Sequence, residues 1–548
     1  MGARAHPESD NMLMKCNWLQ NLGKVLIFAL ILFPEFTYAQ IQKNWNWGGP
    51  IDPLQAKYQV IHYQLELEIF PIDQEIKGKN KIAFQSQEKL DTLRLNLIEE
   101  FEVSKVVMEG QEIGFSRHGD ILDIFPIDCT CEEVEVYYGG KTPIAIRPPW
   151  SGGFTWEMDE LDNHWMGLSS QNEGGKIFMP CLDHPSSEPL NGVDLIFTVP
   201  KPYFVASNGR LVDTKESNGK LTYHWTTRYP INNYNINFTV GVFHEESMLF
   251  QSVDGKEIPM FVYVLQENRD KAKNLLEVLN TSARTHEKFF GPYPFPDDKI
   301  AVVETPYLGM EHQTINAYGN NFQFEKIGDV WADWLLHHEL GHEWFGNKVS
   351  VKDWADYWIH EGLTAYGDWL FYLEHGGDEA YHKKVASVKV GIRNLRPVVS
   401  PRNSTSDIAY HPEIYTKGAF IIHSLRYYLG DEVFFPMLKA FASDERFIYE
   451  NLVDTSDFTE FVQDYTGREE LKGFFDLYLK SVRLPKVKIR KKGKKGYQVS
   501  LTNINFSMPV EIKTSNGYER HVLSSKAVMV KSDEPIVVDP KGWYLLDK

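Results

Sequence analysis

Trp331-Ala332-Asp333-Trp334-Leu335-Leu336-His337-His338-Glu339-Leu340-Gly341-His342 is the stretch from which the rest of the chain is best read. Apolar residues recur three and four apart from Val330 to Phe345, so the spacing predicts a helix. His338 and His342 are four apart, close to one turn, and both imidazoles leave the same face. Two imidazoles and a carboxylate suit zinc and leave a position for water, and Glu339 between them can take that water's proton. With 18 histidines in 548 residues, His-Glu-x-x-His arises by chance about 0.04 times. His337 and His360 lie roughly 100° from the neighbouring ligands, which makes them supporting or core residues.

A second segment adds an independent signal. Asp356-Tyr357-Trp358-Ile359-His360-Glu361-Gly362-Leu363-Thr364-Ala365-Tyr366 reads as a helix and carries Glu361 nineteen residues after His342. An adjacent helix would bring that carboxylate back to the metal. His338, His342 and Glu361 are therefore the expected ligands of one zinc ion per chain.

Outward from this centre, the pattern changes twice. From Ile41 to about Glu245 short alternating runs such as Tyr63-Gln64-Leu65-Glu66-Leu67-Glu68-Ile69 and Leu221-Thr222-Tyr223-His224-Trp225 predict a large, mostly antiparallel β domain. Helical periods follow over Lys271–Phe290, Phe434–Phe441, Phe458–Tyr465 and Phe474–Val482. After Pro485 strands return, at Tyr497–Leu501 and Val510–Ile512. The basic run Lys486–Lys495 reads as a solvated strand-turn-strand. The expected class is multidomain α+β, divided as 1–39, 40–246, 247–484 and 485–548. Neither an internal repeat nor a low-complexity segment is found.

Composition sets bounds on function. At 63.4 kDa the chain is long enough for two to four domains, and 43% hydrophobic with 24% charged residues describes a globular protein. A net charge of -18 argues against nucleic-acid binding. Lys15 and Lys24 precede the apolar run Val25–Phe33, and Thr37-Tyr38-Ala39 supplies small residues for cleavage after Ala39. Nine apolar residues fall short of the roughly 20 that span a bilayer. The expectation is an exported protein, periplasmic or secreted, with no stable membrane insertion after cleavage; an uncleaved anchor is the alternative, and Met12 or Met14 is an alternative start. Cys16 lies in that leader, and Cys129, Cys131 and Cys181 are an odd number, so no disulfide framework is implied. Cys129-Thr130-Cys131 lacks a second pair at zinc spacing and reads as a strand.

The run His338-Glu339-Leu340-Gly341-His342-Glu343-Trp344-Phe345-Gly346-Asn347, continued by Trp358-Ile359-His360-Glu361-Gly362, resembles the metal signature of the gluzincin aminopeptidases, which include aminopeptidase N and leukotriene hydrolase. Other blocks resemble the family in the same order. Phe178-Met179-Pro180-Cys181-Leu182-Asp183 is similar to its Phe-Pro-Cys-x-Asp turn, and Gly291-Pro292-Tyr293-Pro294-Phe295 to its lead-in to the catalytic domain. Leu308-Gly309-Met310-Glu311-His312 resembles its Gly-x-Met-Glu-Asn motif, with Leu308 and His312 as departures that bear on the first side-chain pocket. Tyr415-Thr416-Lys417-Gly418-Ala419 resembles the block carrying the transition-state tyrosine, and Tyr410 falls where some members have another.

The resemblance implies a zinc aminopeptidase acting on peptides with a free N-terminus. Glu339 would be general base and Tyr415 the oxyanion partner. Glu311 with Gln171 would hold the α-amine, and Gly309, Met310 and Tyr410 would contact substrate. It also implies a β saddle, a thermolysin-like catalytic domain and a small β sandwich, in a compact form without the family's large helical C-terminal domain. The site would then be open unless a homodimer closes it. Read alone, Tyr415 is a core tyrosine, Glu311 a solvated strand carboxylate and Gln171 a loop residue; their order around the zinc motif reverses this. Three competing readings are a thermolysin-type endopeptidase, a lipid epoxide hydrolase, and a non-enzymatic adhesion module.

Overall fold

Alternation along Tyr58–Phe70 buries Tyr63, Leu65, Leu67 and Ile69 on one face of a ten-stranded sheet, each side chain contributing about 1.5–3 kcal/mol. The computed structural model describes residues 45–494 and 496–547. The leader, its cleavage point and Cys16 lie outside them. In the sheet Tyr58–Phe70 pairs antiparallel with Glu75–Leu90 and parallel with Val193–Pro200. Glu75–Leu90 pairs in turn with Cys129–Lys141, the strand expected over the paired cysteines. A second, four-stranded sheet includes Gly153–Met158 and His164–Ser169, which lead directly into Gln171.

The chain then builds a five-stranded sheet in which Glu257–Leu265, Ile300–Glu304 and Asn316–Tyr318 run parallel. Its edge is the short strand Gly309–Met310, antiparallel to Asn316–Tyr318. Among the described residues the longer helices that follow this sheet or cover it are α1 (Arg269–Phe290), α2 (Trp334–Gly341), α3 (Trp358–Lys389), α4 (Pro412–Leu429), α5 (Asp431–Phe441), α6 (Thr455–Thr466) and α7 (Leu471–Tyr478). Helix α3 is broken at Gly377, whose φ of +73° ends one helical run and starts another. Helices α3 and α4 cross at two glycines. A Cβ on Gly362 would stand 3.0 Å from Gly418 Cα, so the crossing brings the backbones beside Glu361 and Tyr415 close together.

Two three-stranded sheets close the described chain, and their Val499, Leu501, Val510 and Ile512 share one apolar cluster with Phe420 of α4. The basic strand Lys486–Lys491 is largely exposed, as its composition suggests. Trp47 joins the β-rich part to the helices, edge-on to Tyr234 and Trp354 at 5.6 and 5.1 Å. Among the described residues no helix is long and apolar enough to cross a membrane.

Two elements depart from the periodicity. Val330–Ala332 is a strand paired with Glu325–Ile327, not the start of the metal helix, which also ends at Gly341 and not at Phe345. Asp333 decides the start, because its carboxylate accepts from the amides of Leu335 and Leu336 and caps the helix there. The helix expected to reach Val482 ends at Tyr478, and the next carbonyl, Leu479, accepts from Val398 and Val399 of a neighbouring loop.

Candidate metal and substrate site

Asp333 is fully buried and also accepts from Tyr318 Oη at 2.7 Å and Asn320 Nδ2 at 3.0 Å. It therefore ties the first turn of α2 to the five-stranded sheet. Asp333→Ala is expected to cost at least about 2 kcal/mol, from the lost cap and two stranded donors, read as a lowered midpoint of urea unfolding.

From this fixed start, His338 and His342 reach the same point. Their Nε2 atoms are 3.3 Å apart, and Glu361 Oε2 of α3 lies 3.6 and 3.3 Å from them. The tautomers follow from the outer bonds. His338 Nδ1 donates to Asp368 Oδ2 at 3.0 Å, and His342 Nδ1 to the Phe345 carbonyl at 2.9 Å. Each Nε2 lone pair is thus turned inward, where two imidazole lone pairs at this distance suit a shared cation. Burial by itself would depress His338, but Asp368 and Glu361 hold it well above the ordinary value. Against the effect of burial, His342 and His338 hold the Glu361 carboxyl well below the usual range.

Glu311, Glu339 and His342 also converge within metal-binding distance. The first set fits a cation better, because Glu311 Oε1 already accepts from Gln171 Nε2 and from Tyr234 Oη at 2.9 Å. The donors His338, His342 and Glu361 match what zinc takes in a site with an open position. Asp368→Ala is expected to weaken zinc binding about 10- to 100-fold, measured by competition with a chromogenic chelator.

The remaining expected residues line one cleft of about 550 Å³ with the metal set. Glu339 is 7% exposed, and burial, with Glu311 and Glu361 nearby, raises its carboxyl. A Cβ on Gly309 would meet Glu339 Oε1 at 2.7 Å, so any side chain there would displace that carboxylate. Met310 completes the edge strand and Glu311 directly follows it, where burial raises its carboxyl. Tyr415 stacks on His338 with ring centroids 6.0 Å apart, and its hydroxyl is 2.8 Å from that of Tyr410.

Of the two departures from the family motif, Leu308 lines the cleft, whereas His312 does not. His312 is fully buried, with Nε2 3.2 Å from Asn237 Nδ2. His337 and His360 are core residues, as their helical angles indicate: His337 stacks on His286 at 4.0 Å, and His360 accepts from the Val351 amide.

Several site residues escaped the sequence reading. Asp368 had a signal, lying seven residues after Glu361 and so on the same face of α3. Trp334, four residues before His338, and His411, next to Tyr410, had a local signal too, whereas Tyr234, Arg147 and Trp150 had none, because distant parts of the chain bring them to Glu311 and the cleft.

The fold and the geometry of this centre can now be set beside known proteins. Residues 274–478 match the model of the peptidase family M1 domain. It is 24% identical over 409 residues to a leucyl aminopeptidase of Saccharolobus solfataricus, covering 69% of this chain and 48% of that protein. It is 22% identical to aminopeptidase 2 of Candida albicans, covering 84% and 51%. The chain thus spans about half the length of these relatives. The M1 zinc metallopeptidase of Deinococcus radiodurans superposes with a TM-score of 0.67 at 22% identity, covering 80% of this chain and 96% of that one. Yeast LTA4 hydrolase gives 0.67 at 17% identity, covering 82% and 71%.

Proposed function

We propose that this chain is a zinc-dependent aminopeptidase that removes the first residue from peptides with a free N-terminus, using one zinc ion per chain. One observation carries the reading. The buried Glu311, with Gln171 and Tyr234 on one oxygen, shares a cleft with the His338–His342–Glu361 set. An acidic anchor for an ammonium beside a metal centre admits only the first peptide bond.

Zinc held by this set would lower the pKa of water toward 7 and polarise a carbonyl. Glu339 accepts the water proton and returns it to the leaving amine. The Tyr415 hydroxyl, oriented by Tyr410, donates to the oxyanion as its charge develops. Met310 and Gly309 form the edge along which the substrate backbone lies. A mutant of the Deinococcus radiodurans M1 zinc metallopeptidase crystallised with a Tyr-Ser-Ala substrate bound, which agrees with a peptide here. The amine anchor favours this reading over an epoxide hydrolase or an endopeptidase. On the strength of Lys15 to Ala39 we also read the protein as exported, to the periplasm or beyond.

A panel of aminoacyl-p-nitroanilides, with and without a chelator, tests the proposal. The expected result is release that a chelator abolishes and added zinc restores. Chelator-resistant release, or none on any free-amine substrate, would sink it.

A further inference from the structure

The wall around the amine anchor carries positive charge and unused hydrogen-bonding capacity. Arg147 is the sole lysine or arginine among the residues lining the cleft. Its guanidinium lies over the Trp150 ring, 5.4 Å from the centroid, and has no carboxylate partner among the described residues. His411, immediately before α4, is 6% exposed and lines the same cleft, yet both its ring nitrogens lack a partner among the described residues. Burial, with Arg396 and Lys417 nearby, pushes His411 down to about 4, so at neutral pH it is an uncharged ring with one N–H to donate.

Both residues stand on chain segments joined to the residues that follow Gln171. Asn172, next to Gln171, donates from Nδ2 to the Trp150 carbonyl at 3.1 Å and accepts at its own carbonyl from Ser406 Oγ at 2.7 Å. The Gly152 amide donates to Glu173 at 2.8 Å, and the Tyr410 amide to the Ser406 carbonyl at 2.8 Å. The loop with Arg147 and the turn with His411 are therefore both tied to the residues that follow Gln171. An ammonium held at Gln171 and Glu311 places the first Cα, and its side chain, against this wall.

We propose that Arg147 and His411 read the side chain of the substrate's first residue and select acidic ones, glutamate and aspartate. This rests on the aminopeptidase reading above. A side-chain carboxylate meets one charged and one neutral donor, and charge-assisted bonds of this kind are the stronger ones. A leucine side chain leaves the buried His411 nitrogens unpaired, which is costly. A lysine side chain faces Arg147 with like charge.

The test is kcat/KM of the zinc-loaded full chain on the p-nitroanilides of Glu, Asp, Leu and Lys. A Glu-over-Leu ratio of roughly tenfold or more is expected. Arg147→Ala should bring that ratio toward one, Arg147→Lys should keep part of it, and Arg147→Glu should turn preference toward Lys. His411→Ala should lower it as well. A ratio below one in the native protein, or one unmoved in Arg147→Ala and Arg147→Glu, overturns the inference while Leu release leaves the aminopeptidase reading standing. No release on any of the four overturns both.

Discussion

Glu339→Gln is expected to lower kcat on a free-amine substrate by about 10²–10⁴-fold while the protein keeps its zinc. The substitution is isosteric and removes only the ability to take a proton. Glu339 directly follows His338 and precedes His342 by three residues, yet it stands outside the His338–His342–Glu361 set. Its Oε1 faces the edge strand at Gly309, where the substrate backbone would lie. Metal analysis should thus give equal zinc in variant and native protein, separating loss of the base from loss of the ion. A variant retaining roughly a tenth or more of native kcat would remove Glu339 from the reaction.

The second large effect concerns the amine anchor. Glu311→Ala leaves Gln171 and Tyr234 without their shared acceptor and a substrate ammonium without its counter-charge. Truncating one partner of a buried, hydrogen-bonded charge pair costs about 2–5 kcal/mol, roughly 30-fold or more in kcat/KM. The native protein should discriminate against N-acetylated substrates by at least as much, and the variant should lose most of that discrimination. Equal rates on free and acetylated substrates in the native protein would contradict the role given to Glu311.

The metal face was legible because its geometry is local. A four-residue spacing on a helix fixes His338 and His342 relative to each other, whatever the rest of the chain does. Glu361 needed only a second helix at a plausible distance. Where local pattern failed, a specific competing interaction explains it. The apolar spacing of Val330 and Trp331 continues that of α2, but the Asp333 carboxylate claims the first amides and leaves those residues to a hairpin. The cleft's far walls had no local signature. Tyr234 meets Glu311 across 77 residues of chain, and Ser406 meets Asn172 across 234, so only the packed fold brings them together. The outer bond from Asp368 lay between these cases, with a helical repeat from Glu361 that periodicity alone could have raised.

The most direct measurement follows one short peptide by mass spectrometry, in free and N-acetylated form, with and without a chelator. Stepwise loss of the first residue is expected from the free peptide alone, abolished by the chelator. An internal cut, or cleavage of the acetylated peptide at a similar rate, would contradict an aminopeptidase that holds its substrate by the α-amine.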